Sequence, residues 1–522
     1  MPKKSLIAFP IAILIIINFS GCTLLNSTEF QLISTSIYDD EGFPSLLIRF
    51  NVTDSITVKM TDPSKKLIFS EKILSSEHQV IVHLAEFRST PIPGKYNLKI
   101  VDNNNNIIFE NELIFAGQNL AITKIKEDWW QDKLKLSLVG LEMTVRNNGD
   151  LPVYPHKVEI DLNGKNTFGY ILPDVIMPYQ TKDICSYVYV GDSPLESIDM
   201  NTIVKDKDDA IIASYVKQVT PSANVQDLKF DWKHNEYYTL IIPDIKFLYD
   251  HYVSLDRLIL DDYAAYVFDI YDDFYVDLVS QKLRSLTDET SDFEVVNFIG
   301  SFVQKLDYAE DDPNDPTCEY PRYPVEMLKD TQGDCEDKAM LCASILKSLG
   351  YNVSLIRLPK HMAVGINLPE DSSVYDYFAD SYYYLETTRY PSPLGRVPDD
   401  YKGITNFTIY PLYDRPLLIH NWINSTRYFS TDKSSDYVKM KIMIQNLGTK
   451  TAYDFYVTAA FYDQQGNELN VETKLISSLE YSDKTVVEMQ IDVPQGLSTK
   501  LKTRIYYDNE MVHEKESTNI FN

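Results

Sequence analysis

The sequence has 522 residues, which is enough for three or four domains, and its 44% hydrophobic content is ordinary for folded protein. A formal net charge of −27, with no basic stripe, excludes nucleic acid as an expected partner. Five cysteines in a chain of this length are too few for a disulfide framework. We therefore expect a multidomain protein with a well-solvated acidic exterior.

The N-terminus has the three parts of an export signal. Lys3 and Lys4 precede an apolar run over residues 6–17, which is shorter than the about 20 apolar residues that a membrane span needs. The run leads to Phe19-Ser20-Gly21-Cys22, which resembles a prokaryotic lipobox with Phe19 in place of the usual Leu. The resemblance implies that Cys22 is lipidated, and a non-cleaved N-terminal anchor is the alternative. Either reading places the body outside the cytoplasm, anchored to the cell membrane or secreted.

Short strands separated by turn residues are predicted in three segments. These segments are residues 31–116, 117–220 and 428–522. Residues 56–60 alternate between apolar and polar side chains, as a half-buried strand does. Short strands without a long helix predict a β-sandwich in each segment. In both the second and the third segment, a strand leads into an Asn-x-Gly turn and a further strand. The turn begins at Asn147 in the second segment and at Asn446 in the third. This arrangement resembles the immunoglobulin-like modules of prokaryotic surface proteins.

The segment over residues 225–427 has a different pattern, with helical periodicity first and strand-like runs afterwards. The helical runs are 263–268, 274–286 and 293–306, and the strand-like runs are 353–358, 362–366 and 382–388. Helices followed by antiparallel strands predict an α+β domain. The expected fold is therefore multidomain, with an α+β central domain between all-β immunoglobulin-like sandwiches.

A cysteine at the start of a predicted helix is the first candidate functional residue. Asp334 is a credible N-cap for this helix, Asp337 stands at the acid position of a capping box, and Gly350 ends the pattern. Cys335 is therefore expected in the first turn, where backbone N–H groups and the helix dipole lower a thiol pKa. This stretch alone leaves two readings open, a nucleophile or a cysteine that only packs. Cys342, seven residues later, is assigned to the core.

A histidine and a carboxylate follow Cys335 in the order that a thiol triad requires. His361 begins one predicted strand, about 25 residues after Cys335. Glu386 lies near the end of the next strand, about 25 residues after His361. A cysteine nucleophile needs a base, and the base needs a third group to orient it. A carboxylate in the Tyr-rich apolar run around Glu386 would be costly without a partner. Asp376 and Asp380 are rival carboxylates, and a strand-end Glu386 in water is the other alternative.

Three motifs together resemble the Cys, His and acid blocks of transglutaminase-like proteins, with the exported prokaryotic and especially archaeal members most similar. The motifs are Gly333-Asp334-Cys335-Glu336-Asp337, Pro359-Lys360-His361-Met362-Ala363-Val364-Gly365 and Tyr384-Leu385-Glu386-Thr387-Thr388. The resemblance covers about residues 240–410 and implies a papain-like core. It implies that Cys335 is the nucleophile, His361 the general base and acid, and Glu386 the orienting acid. The family more often has Asp at the third position.

The chemistry implied is acyl transfer from an amide through a thioester to water or an amine. The Cys335 backbone N–H is the expected oxyanion donor and Gln304 a second one, with a helix-surface role as the alternative for Gln304. Asp334, Glu336 and Asp337 would raise the thiol pKa unless the dipole, an imidazolium, a basic residue or a cation offsets them.

No metal or cofactor is required by this reading. The acids Asp311, Asp312 and Asp315 could hold calcium, with a solvated loop as the alternative. The first function hypothesis is an exported, membrane-anchored peptidase, amidase or transglutaminase-like enzyme acting on a peptide or protein outside the cell. The second is a catalytically silent surface protein that uses the same domain to bind peptide or wall polymer.

Overall fold

The computed structural model describes residues 29–193, 195–258, 260–311, 319–369, 378–379, 381–429 and 436–521. The chain forms two compact units, one ending at Val225 and the other beginning at Gln226. The predicted export signal and the predicted lipidation site Cys22 lie outside the described residues. Within the ranges given above, no helix combines the length and the apolar content needed to cross a membrane.

The first unit is built from antiparallel strands. They are β1 (Phe30–Asp40), β2 (Phe43–Val52), β3 (Ile56–Thr61), β4 (Leu67–Ile73), β5 (Gln79–His83), β6 (Gly94–Val101), β7 (Ile107–Phe115), β8 (Leu120–Asp132), β9 (Lys135–Asn147), β10 (Lys157–Leu162), β11 (Lys165–Tyr170), β12 (Thr181–Ser193), β13 (Ile198–Lys205) and β14 (Ile211–Val219). The sheet orders are β1-β2-β5 with β4-β3-β6-β7, and β12-β9-β8 with β11-β10-β13-β14. Ile56, Val58 and Met60 of β3 are fully buried, which confirms the alternation predicted for residues 56–60.

The second unit contains the helices as well as further strands. In chain order its elements are β15 (Asp227–Lys233), β16 (Tyr237–Pro243), α1 (Lys246–Ser254), α2 (Ala264–Val267), α3 (Asp273–Ser285), α4 (Asp292–Lys305), β17 (Asp307–Tyr308), α5 (Pro324–Asp330), β18 (Gln332–Gly333), α6 (Cys335–Ser348), β19 (Asn352–Leu358), β20 (His361–Asn367), β21 (Tyr383–Leu385), a 3-10 turn (Asp399–Tyr401), β22 (Thr408–Pro411), β23 (Leu418–Tyr428), β24 (Tyr437–Asn446), β25 (Ala452–Tyr462), β26 (Glu468–Leu479), β27 (Lys484–Asp492), β28 (Lys500–Tyr507) and β29 (Glu510–Glu516). The strands from β23 onward form two sheets, β23-β24-β27 and β26-β25-β28-β29.

Helix α6 lies on a four-stranded antiparallel sheet of order β21-β20-β19-β22 and also contacts α3 and α4. Its residues from Glu336 to Leu346 are buried, so the helix is enclosed on nearly every side. Leu349 and the left-handed Gly350 (φ 86°) end it, as the glycine position predicted. The predicted helix that begins at Cys335 is thus confirmed.

The fold class predicted from the sequence is wrong. Strand accounts for 51% and helix for 14% of the structure, which is mostly β-sandwich rather than an α+β papain-like or transglutaminase-like core between immunoglobulin-like sandwiches. The physical reason is that helical periodicity covers only short pieces of the second unit. Its longest described helices, α4 and α6, have 14 residues each, and the unit begins with the hairpin β15–β16.

A buried asparagine closes the Asn-x-Gly turn in two of the sandwiches. Asn147 Nδ2 donates to the carbonyls of Leu151 (2.8 Å) and Ile176 (3.1 Å), and its Oδ1 accepts the Gly149 N–H at 2.9 Å. Asn446 repeats this arrangement: its Nδ2 donates to backbone carbonyls four and 33 residues later, and its Oδ1 accepts the N–H two residues later. Both asparagines are fully buried. The recurring motif is therefore a structural device that satisfies backbone groups of separate strands.

Candidate active site

Cys335 is the first residue of α6, and a capping box holds the start of that helix. The Asp337 carboxylate accepts the Asp334 backbone N–H at 3.2 Å, while the Asp334 side chain faces the Asp337 backbone N–H. Cys335 is half-buried. Its own backbone N–H belongs to the first turn, where N–H groups have no acceptor within the helix. Its use as an oxyanion donor stays a prediction.

The thiol of Cys335 has an acidic environment that outweighs the helix dipole. Burial raises its pKa far above the usual range, and the charge of Glu336, a hydrogen bond to Glu336 and the charge of Asp334 raise it further. The S–H donates to Glu336 Oε2 at 3.1 Å. A hydrogen bond from the Met362 backbone N–H acts in the opposite direction. The expectation that the helix start alone lowers this pKa is therefore wrong.

Glu336 is itself buried and hydrogen-bonded to other carboxyl groups. Burial raises its pKa, and the charge of Asp334 and hydrogen bonds with Asp334 and Glu319 raise it further. Carboxyl groups this close must share protons, so the cluster holds protons at pH values where exposed carboxyls are ionised. Ligand atoms of Asp334, Cys335 and Glu336 lie within 4.8 Å of one another and could hold a cation. Such a cation would be bound by the Cys335 sulfur, which would then be a ligand instead of a free thiol.

Asp337 has a basic partner. Arg322 Nη1 donates to its carboxylate at 2.6 Å, and the Arg322 backbone N–H donates at 2.7 Å. Burial and the charge of Asp334 still raise the pKa of Asp337 to about 7, against the lowering effect of Arg322. Arg322 also binds Asp311 at 2.9 Å. One of the three acids near Cys335 is thus paired with a basic residue, which is one of the ways of offsetting their effect that the sequence left open.

The calcium hypothesis concerned three acids, of which only Asp311 is within the described residues. Its carboxylate already accepts from Arg322 and, at 2.5 Å, from the backbone N–H of Tyr320. Asp312 and Asp315 lie outside the described residues, as do the rival triad acids Asp376 and Asp380. Asp311 therefore has a structural role in holding the segment before α5.

A tight hairpin places His361 at the start of β20, the strand that packs against α6. Pro359 and Lys360 form the two-residue turn between β19 and β20, and Lys360 adopts the left-handed conformation (φ 59°). His361 is the first residue of β20 and packs flat on Tyr401, with ring centroids 5.1 Å apart. A side chain at Gly365 would lie 2.3 Å from Ser354 Oγ, which confirms the close packing predicted for this strand. The hydrogen bond between Met362 and the Cys335 sulfur links this strand start to α6.

Glu386 pairs with His361. His361 Nε2 lies 3.1 Å from Glu386 Oε2, which also accepts the Tyr384 hydroxyl at 2.9 Å. Thr388 donates its N–H (2.9 Å) and its hydroxyl (2.5 Å) to Oε1. Burial would raise the pKa of this fully buried carboxylate, but His361 and Thr388 together lower it to about 2. With Nε2 engaged by Glu386, Nδ1 is the imidazole nitrogen left for a thiol.

Gln304, the predicted second oxyanion donor, lies at the same site but is committed to backbone groups. Its Nε2 donates to the carbonyls of Glu386 and Ser392, both at 2.8 Å, and its Oε1 accepts the Ser392 N–H at 3.3 Å. Both amide hydrogens are therefore in use. Donation to an oxyanion would require breaking one of these bonds, and the observed contacts instead fix the chain on both sides of Glu386.

Several residues of the site were not identified from the sequence. Tyr384 and Thr388 flank Glu386 at two residues on either side, a spacing that places a hydroxyl near a carboxylate at a strand end. Tyr401, which stacks on His361, lies in a loop that carried no motif. Lys338 is fully buried three residues after Cys335, where helical periodicity alone predicts an apolar residue.

Glu336→Gln is expected to make Cys335 more reactive at alkaline pH. The substitution removes the charge that Glu336 carries once its raised pKa of about 10 is passed, so alkylation by iodoacetamide should accelerate about tenfold there. The pH dependence of the rate, followed by mass spectrometry of the Cys335 peptide, should move to lower pH. Glu289→Gln changes an exposed acid and should leave the profile unchanged. A profile in Glu336→Gln that equals the wild type would contradict the role given to Glu336.

Comparison with known proteins identifies no family. No family model matches the sequence, and no curated protein matches it. Among solved structures, a two-domain fibronectin type III segment of chicken tenascin covers 36% of this chain and 98% of its own, at 12% identity and a TM-score of 0.18. The exo-chitosanase CsxA of Amycolatopsis orientalis covers 92% and 77%, at 9% identity and a TM-score of 0.16. A β-glucuronidase of glycoside hydrolase family 2 covers 93% and 74%, at 9% identity and a TM-score of 0.18. Scores this low indicate nothing about the activity of this chain.

Proposed function

We propose that the chain is an exported, thiol-dependent acyl-transfer enzyme that acts on amide bonds through Cys335, His361 and Glu386. The observation that carries the proposal is the 3.1 Å hydrogen bond between His361 Nε2 and Glu386 Oε2. Helix α6, which begins at Cys335, packs against β20, which begins at His361. A nucleophile, a base and an orienting acid on adjoining elements are what thiol catalysis needs.

The reaction begins when His361 Nδ1 takes the proton of the Cys335 thiol. The thiolate attacks the amide carbonyl carbon, and a C–S bond forms as the carbonyl oxygen becomes an oxyanion that accepts the Cys335 backbone N–H. Collapse of this intermediate breaks the C–N bond, and the imidazolium returns its proton to the leaving amine. Water or a second amine, deprotonated by His361, then attacks the thioester carbonyl. The C–S bond breaks, the acid or a new amide is released, and the imidazolium returns its proton to the Cys335 thiolate.

Glu386 orients the imidazole throughout this cycle. Because its pKa is lowered to about 2, the carboxylate stays ionised over the physiological range and stabilises the imidazolium when it forms. The order of the Cys, His and Glu motifs supports a relationship to transglutaminase-like proteins at the level of the site. The expected substrate is a peptide or protein outside the cytoplasm, and the expected location is the cell membrane, through Cys22 or an N-terminal anchor, or the secreted fraction.

One observation favours a second function, a catalytically silent protein that binds peptide or wall polymer. The thiol donates to Glu336 rather than to His361, and its pKa is raised. In the enzyme, substrate binding must turn the thiol from Glu336 to the imidazole. In a binding protein, the protonated thiol stays where it is.

Thioester formation separates the two functions. Intact protein is incubated with a library of peptides, with and without added methylamine, and mass spectrometry follows Cys335 acylation and peptide mass. An enzyme gives a Cys335 thioester and either hydrolysed or methylamidated peptide. Cys185, half-buried with its pKa raised by burial to about 12, and the buried Cys342 are internal reference thiols. If Cys335 is acylated no faster than Cys185, the enzyme proposal fails.

A further inference from the structure

We propose that Lys338 is a positioning residue for the triad, which it serves by fixing Gln304 and, through Gln304, the main chain at Glu386. The inference rests on the proposed function, since it concerns the geometry of the same triad. It assigns a role to a buried cation and a buried amide that the reaction steps above do not use.

Lys338 is an unusual residue for its position. Its side chain is fully buried within α6, one turn after Cys335. Its Nζ donates to the carbonyl oxygens of Leu306 (2.7 Å) and Gln304 (3.4 Å), and no carboxylate of the described chain lies within salt-bridge distance. A buried ammonium that is held by carbonyls alone is costly. If this position served only for packing, Leu or Met would have a lower free-energy cost of burial than an ammonium. We therefore assign the cation a role beyond packing.

The carbonyls that Lys338 binds belong to the C-terminal end of α4. Gln304 lies in the last turn of α4, and Leu306 is its C-cap residue. Carbonyls at this end have no partner within their own helix and carry the negative end of the dipole. An ammonium satisfies two of them at once. Lys338 therefore fastens the end of α4 to the helix that carries the nucleophile.

Gln304 carries the connection from α4 to the acid of the triad. Its side chain donates to the Glu386 carbonyl and exchanges two hydrogen bonds with the Ser392 backbone. One turn earlier, a side chain at Gly300 would lie 3.0 Å from Leu385 Cδ1, so α4 lies directly against the residue before Glu386. One continuous set of contacts thus runs from α6 through Lys338 and Gln304 to Glu386.

The charge of Lys338 also acts on Glu386 through space. Burial lowers the pKa of Lys338 to about 8, while the charges of Asp307 and Glu386 raise it. The same attraction favours the ionised form of Glu386. During the half of the cycle in which His361 is neutral, Lys338 is the buried cation that remains near this carboxylate. The position and the charge of Lys338 therefore act together to keep Glu386 ionised and oriented.

The test measures the rate of Cys335 acylation by a reactive peptide ester in Lys338→Met, Gln304→Leu and the double variant of the full chain. We expect each single variant to lose about tenfold, because a displaced catalytic group costs one to two orders of magnitude. If Lys338 acts through Gln304, the double variant should be no slower than either single variant. The downfield proton NMR signal of the imidazole N–H that binds Glu386 should broaden in both. Lys246→Met, which changes an exposed lysine, is the control for both readouts.

The outcomes separate this inference from the proposed function. If wild-type Cys335 reacts no faster than Cys185, the proposed function fails. If wild-type Cys335 is fast but Lys338→Met stays within twofold of it, or if the two losses multiply in the double variant, the positioning role is overturned. Should Lys338→Met not fold, Lys338→Gln and Gln304→Leu decide in its place. An unchanged rate and an unchanged imidazole signal in both of these would also overturn the role.

Discussion

His361→Ala is expected to slow thioester formation at Cys335 by about 10³-fold, the largest effect on activity predicted here. General acid–base catalysis contributes about 10²–10⁴-fold, and His361 is the group that both removes the thiol proton and protonates the leaving amine. The loss should be larger than usual for a thiol because burial and Glu336 raise the Cys335 pKa. Without the imidazole, the acceptor beside the thiol is the Glu336 carboxyl, which shares protons with Asp334 and Glu319 and cannot form a cation that would stabilise the thiolate. The measurement is the rate of Cys335 acylation by a reactive peptide ester, followed by mass spectrometry.

His83→Ala is the matched control for that variant. His83 Nε2 contacts Asp40 Oδ2 at 2.9 Å, so it has a comparable histidine–carboxylate pair, but in the first unit. Its loss should leave acylation unchanged. Glu386→Gln should give an intermediate loss, since it retains a side chain of similar shape but cannot stabilise the imidazolium. Equal rates for His361→Ala and His83→Ala would mean that Cys335 reacts, if at all, without the proposed base.

Arg257→Met is expected to destabilise the second unit by about 3–5 kcal/mol, the largest effect on stability predicted here. Glu326 is fully buried, and its Oε1 accepts from Arg257 Nη2 at 2.5 Å and from the Tyr320 hydroxyl at 2.8 Å. Removing the guanidinium leaves a buried carboxylate without its cation. Urea denaturation, followed by tryptophan fluorescence of the second unit, measures the change in the free energy of unfolding.

The cost of Arg257→Met should grow as the pH rises. Burial raises the pKa of Glu326, so the folded state holds a proton on this carboxyl more readily than the unfolded state does. Stability is therefore lost as the pH rises through the folded pKa, and Arg257 lowers that pKa in the wild type. Arg357→Met removes an exposed pair with Asp261 and should have a much smaller effect at every pH. Equal effects of the two variants would contradict the importance given to burial.

The candidate triad residues were selected from the sequence because each had a local signal. An N-cap before Cys335, a turn before His361 and a carboxylate in an apolar run are visible in single stretches of sequence, and the structure brings the last two into contact. Other partners of these residues had no such signal, because they are distant in the sequence. Tyr401 stacks on His361, and Gln304 binds the Glu386 carbonyl. In the sequence, Lys338 is a polar residue that interrupts the apolar pattern of a buried helix, and this carries no functional signal.

The fold class and the thiol pKa were predicted wrongly for a shared reason, which is that local patterns were given too much weight. Helical periodicity in a minor part of the chain suggested an α+β protein, whereas strands make up most of the structure. The dipole of α6 suggested an activated thiol, whereas burial and the neighbouring acid Glu336 dominate its titration. In both cases the decisive quantity is a sum over the surroundings, which a single stretch of sequence does not contain.

The buried asparagine turns have a consequence for how this chain can change over evolution. Each amide bonds to a limited stretch of chain: Asn147 to groups between Asn119 and Ile176, and Asn446 to groups between Leu417 and Leu479. A sandwich of this kind therefore carries its own means of holding strands in register. Duplicating, deleting or exchanging it as one block breaks none of these bonds. The number of such modules can vary between descendants of this protein while the segment that carries Cys335 stays the same.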